Sequence, residues 1–176
     1  MATVRKTLGR ADSPHIVSLM RLIETQSKAT LVNWCLDYAE ANLWPIYARR
    51  QPDDDRPSQA LRAARAWLAG EIKLPAAKRA ILDQCHAAAR SLDHDPAAQA
   101  AARAIGQAAS SIHAPTHCLG MAFYGPAAIA YDGLGTGQRP EVYDAVAAQE
   151  CAKMEAALRA VAVPDEPNPA KVNWRC

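Results

Sequence analysis

Alanine constrains this chain more than any other residue. Of the 176 residues 39 are alanine, the strongest helix former because it has no side-chain freedom to lose. Against them stand 1 Phe, 4 Trp and 5 Tyr. Valine, isoleucine and threonine never gather into the alternating runs that a half-buried strand needs. The expected fold is therefore all-α: a compact bundle or short array of six to seven helices with no sheet. No segment repeats at a fixed period, which disfavours a regular solenoid.

Proline and capping residues divide the pattern into elements. The reading gives a flexible leader over 1–12, a single α-helical domain over 13–162 and an extended tail over 163–176, with Pro164, Pro167 and Pro169 in the tail. Ser13-Pro14 opens the first helix. A second runs from Ser27 to Arg49 on Leu31, Trp34, Cys35, Tyr38 and Leu43, and Pro45 should kink or end it. A third spans Pro57–Ala69 and stops at Gly70. The fourth begins at Leu74-Pro75 and turns Ile81, Leu82, Cys85 and Leu92 inward. Asp95-Pro96 starts the fifth, with Ala98, Ala101, Ala102, Ile105, Ala109 and Ile112 on its inner face. The sixth covers Thr116–Tyr131 and the seventh Pro140–Ala162, joined by a flexible connector that includes Gly133–Gly137.

Charge is nearly balanced, 20 Lys+Arg against 18 Asp+Glu, a net +2. No basic stripe marks a nucleic-acid partner, and no window has the roughly 18 apolar residues of a membrane span. The first ten residues lack the apolar centre of a signal peptide, so the expected location is cytoplasmic. The five cysteines have no Cys-x-x-Cys spacing. Cys35, Cys85 and Cys118 read as small core residues, and Cys176 as an exposed terminal thiol.

Three motifs bear on chemistry. His113-x-x-x-His117 places two imidazoles one helical turn apart, the spacing of a shared zinc, and His86 is a possible third nitrogen. Pro115 lies between the pair and no acidic partner completes a His-Glu-x-x-His signature, so hydrogen bonding inside the bundle is the simpler use. Asp53-Asp54-Asp55 misses the alternating ligands of a calcium loop and suits helix capping or an acidic contact surface. The Gly133–Gly137 segment lacks the strand and the Gly-Lys-Ser ending of a phosphate loop. No metal is assigned, no cofactor is expected, and no nucleophile with its base is evident. The chain reads as a non-enzyme.

A wider set of residues resembles a known family. Trp34-x-x-Asp37-x-Ala39 is followed by Pro52-Asp53-Asp54-Asp55-Arg56-Pro57 and by Ala63-x-Arg65-Ala66-Trp67-x-x-Gly70-Glu71. Ala87-Ala88-Ala89-Arg90 and His113-x-x-x-His117-x-x-Gly120 complete it. Together, over residues 30–131, they resemble bacterial immunity proteins of the Imm-5-like group, a helical family of polymorphic toxin systems. The resemblance implies stoichiometric binding and neutralisation of a cognate protein toxin, by a monomer or homodimer. Trp44, Tyr47, Arg49, Arg50, Asp53, Asp54, Asp55 and Arg56 flank one turn and are the candidate contact residues. The alternative is a small metal-binding protein or metal-dependent hydrolase using His86, His113 and His117.

Overall fold

The computed structural model describes residues 4–174. Met1–Thr3, Arg175 and Cys176 lie outside them, and with them the expected terminal thiol and the extreme ends of the leader and tail.

Helix starts follow the proline and serine signals. α1 (Pro14–Ile23) opens on Pro14, and α2 (Lys28–Tyr38) is capped by Ser27, whose Oγ accepts the Thr30 N–H. A π-helical turn, Ala39–Leu43, joins α2 directly to α3 (Trp44–Arg50) in one continuous rod. Pro45 therefore does not end the helix. It sits in the first turn of α3, after a widened turn that gives its ring room and asks for no N–H. α4 (Arg56–Leu68) closes at Gly70, whose φ of 75° is one that a side chain resists.

A second composite rod combines α5 (Leu74–Ala80), a π-helical turn Ile81–His86 and α6 (Ala87–Arg90). The wide turn corrects one expected core position. Ile81 and Cys85 are buried, but Leu82 is rotated outward and is 54% exposed. α7 (Pro96–Ser110) is capped by Asp95, which accepts the Ala98 N–H. α8 (His117–Leu134) carries Pro126 inside it and ends at Gly135 with φ 72°. Gly133 and Leu134 thus belong to the helix, and the connector is shorter than expected. α9 (Pro140–Val161) completes the body.

The nine α-helical stretches form seven rods, with no strand among the described residues. α7 is central and packs most extensively on α8. Ala97, Ala98, Ala100, Ala101, Ala102, Ala104, Ala108 and Ala109 of α7 are all buried. Small side chains let neighbouring axes approach closely. The few large residues pin the outer rods to this centre. Trp34 of α2 donates through Nε1 to the Met154 carbonyl of α9 at 3.1 Å, and Tyr47 of α3 is fully buried.

Ahead of α1, Arg5 and Leu8 contact the body. Leu8 is fully buried and its N–H donates to the Phe123 carbonyl at 3.1 Å. Arg5 pairs with Asp144 at 2.9 Å, and its carbonyl accepts the Tyr131 hydroxyl. At the other end, Gln26 accepts the Val163 N–H through Oε1 and the Ala170 N–H through its carbonyl. Trp174 donates to Glu24 at 2.6 Å, so the extended tail lies against the α1–α2 corner. Among the described residues no helix is long and apolar enough to cross a membrane.

Candidate functional site

The loop between α3 and α4 is held by Asp54. Its carboxylate accepts the Tyr47 hydroxyl at 2.7 Å, the Arg56 backbone N–H at 3.1 Å and the Arg56 guanidinium at 2.6–3.1 Å. The Arg56 bonds, reinforced by Tyr47, hold the carboxyl down at about 2. Burial first, and then Asp54, pushes the Tyr47 phenol up. Asp55 holds the N-cap position of α4, yet its side chain makes no cap bond. It accepts from Gln59 at 2.6 Å and pairs with Arg62 at 3.0 Å.

The arginines before the loop are also committed. Arg49 and Arg50 both reach Asp132 near the end of α8, and Arg50 reaches Asp95 at 3.0 Å as well. Arg50 thereby fastens α3 to the start of α7 and the end of α8. The structure brings all eight candidate contact residues together around one turn, in two distinct situations. Tyr47, Arg50, Asp54 and Arg56 spend their polar groups inside the protein, and buried Tyr47 presents no surface. Asp53, Asp55 and Arg49 are exposed, and Trp44 is half-buried and stacked on Tyr47 at 6.0 Å between centroids.

The histidines form a second constellation. α7 ends at Ser110 and α8 begins at His117, with His113 in the intervening turn. The His113 and His117 Nε2 atoms lie 3.1 Å apart, and Gln107 Oε1 is 2.8 Å from His117 Nδ1. An amide oxygen can only accept, so His117 carries its proton on Nδ1 and His113 donates from Nε2. That leaves His113 Nδ1 buried without a partner. Burial, then the charges of His117, Lys78, Lys28 and His86, hold His113 down at about 4. Burial also lowers His86 and His117.

Two glycines make room for these rings. A β-carbon on Gly120 would sit 2.2 Å from Gln107 Oε1, and one on Gly106 would sit 3.0 Å from His86 Cε1. Among the described residues no three His, Cys, Asp or Glu side chains converge as a metal group. His86 therefore does not complete a ligand set with His113 and His117. A cleft of about 440 Å³ opens beside the pair, bounded by Lys78, Arg79, Leu82, His86 and Ser110 among others. Nothing in the sequence pointed to Gln107, Lys78 or Arg79 as neighbours of the pair, and Ser110 stood out only as a hydroxyl close to His113 without a nucleophile motif. The one local signal was Gly106, an interruption in an alanine run where glycine weakens a helix.

Comparison with known proteins adds one match. A family model described as Imm-5 like putative immunity protein matches residues 21–157. No curated protein matches, and no solved structure does.

Proposed function

The chain belongs to the Imm-5 like putative immunity protein family, and we propose from that membership that it neutralises a cognate bacterial toxin by binding it. The complex forms stoichiometrically in the cytoplasm and needs no catalytic residue or cofactor of this chain. The family match over residues 21–157 carries the reading, because it takes in the body from within α1 to within α9.

The α3–α4 turn is the contact surface in this proposal. Trp44, Arg49, Asp53 and Asp55 meet the toxin. Tyr47, Arg50, Asp54 and Arg56 hold the turn in shape through the bonds described above. A loop already fixed before binding loses little freedom on association, which favours tight complexes. Exposed carboxylates also speed encounter with a basic surface, such as the substrate path of a toxin that acts on nucleic acid.

The test mixes the purified protein with the toxin domain encoded beside its gene. An equimolar complex by size exclusion, and protection that saturates at one equivalent, are expected. Asp53→Asn with Asp55→Asn should slow association about tenfold at low salt and leave the melting temperature within about 1 °C. Absence of any complex, or protection at far below one equivalent, contradicts the proposal.

A further inference from the structure

The histidine cleft has a composition that toxin binding leaves unexplained. Its polar wall consists of Lys78, Arg79, His86, Ser110, His113 and His117, with no carboxylate among them. Most arginines elsewhere are ion-paired, among them Arg5, Arg49, Arg50, Arg56, Arg62 and Arg159, whereas Arg21, Arg90, Arg103 and Arg139 form no ion pair among the described residues. Lys78 and Arg79 have none among the described residues, though they face the same cleft. Ser110 is only 3% exposed, and no side-chain bond holds its hydroxyl. Gly106 and Gly120 are placed inside helices, at a conformational disadvantage, where a β-carbon would displace His86 or Gln107.

From this arrangement we infer that the cleft is a binding site for a phosphate monoester. Lys78 supplies a point charge and Arg79 a planar fork for the phosphate oxygens, and Ser110 and His86 supply neutral donors at its edge. The cleft, about 440 Å³, is several times larger than a bare phosphate. Ile81 and Leu82 form its apolar side, and Leu82, at 54% exposure, is turned toward it by the π-helical turn rather than into the core. A ligand with a flat or aliphatic body beside its phosphate covers that surface. The sign of the charge selects against a cation. A metal held by the His113–His117 pair would face Lys78, with Lys28 and His86 close enough to depress His113, and no carboxylate on the cleft wall would compensate. Phosphate binding relieves the same repulsion and raises the histidine pKa values. This site is independent of the toxin interface proposed on the α3–α4 turn.

Calorimetry on the intact protein, in a phosphate-free chloride buffer near neutral pH, tests the assignment with three probes: adenosine 5′-monophosphate, inorganic phosphate and adenosine. The monophosphate should bind, inorganic phosphate about tenfold more weakly, and adenosine not measurably. Proton NMR should show the ring signals of His86, His113 and His117 moving with the phosphate probes. The double variant Lys78→Ala with Arg79→Ala should lose at least about tenfold in affinity. Both side chains are exposed and unpaired, so its melting temperature should match the parent. The inference is overturned if neither phosphate probe binds at about 10 mM, if adenosine binds as well as its monophosphate, or if the double variant binds unchanged. A saturable shift of the three histidines by Zn²⁺ that phosphate does not reproduce would assign the cleft to a cation and overturn it equally.

Discussion

Asp54 is where the acidic turn becomes structure. It satisfies the hydroxyl of a fully buried tyrosine and a neighbouring guanidinium at once. Asp54→Ala should therefore cost about 1–3 kcal/mol in chemical denaturation, since the Tyr47 hydroxyl loses its acceptor. Asp53→Ala, at an exposed position, should change stability by less than about 0.5 kcal/mol. Equal effects at the two positions would contradict this division of labour. The titrating groups add a pH signature. His113 stands at about 4 against an ordinary 6.5, so below 6.5 the unfolded chain takes up a proton that the folded chain refuses. Stability is full above 6.5 and declines as pH falls toward 4. Asp54, at about 2 against 3.8, adds a further loss as pH drops from 3.8 through 2. The histidine contribution is at most about 1 kcal/mol once solvent screening is allowed for. Melting temperatures measured across this range should fall, and His113→Asn should flatten the portion between 6.5 and 4.

Among the elements, the two π-helical turns separate what the sequence made legible from what it did not. Ser27, Asp95 and the prolines at positions 14, 57, 96 and 140 mark helix starts by chemistry local to a few residues, and local chemistry is readable from a chain. The stripe expected on α7 from the 3.6-residue period, Ala98 through Ala109, is buried, but so are Ala97, Ala100, Ala104 and Ala108 off that stripe, because a central helix is covered nearly all round. A π turn inserts an extra residue into that period without any composition of its own. Leu82 was accordingly expected in the core and is found outside it. The register has a simple test by denaturation. Ile81→Ala should cost about 2–4 kcal/mol, while Leu82→Ser should stay within about 0.5 kcal/mol. A large loss at Leu82 would restore an unbroken α-helical register. The histidine pair was legible from its spacing, whereas Gln107, Lys78 and Arg79 join it only through packing between separate rods. The acidic turn was located correctly, but the burial of Tyr47 was not readable, because Trp44 and Tyr47 sit on one helix with equal claims to the core.

At the scale of the whole molecule, alanine packing on α7 makes a rigid body with its charged groups arranged on the periphery. Enlarging one of those residues should strain the centre: Ala108→Leu, at a fully buried position, should cost about 1–3 kcal/mol. In the proposed function the prearranged turn holds a partner. Family membership gives that partner its class, a toxin. The most direct measurement is survival of cells that express the neighbouring toxin domain together with this protein or its Asp53→Asn, Asp55→Asn variant. The account predicts that the parent protects, that the variant protects less at equal folded abundance, and that protection follows the ratio of the two proteins. Killing that is unaffected by the parent at excess would contradict it.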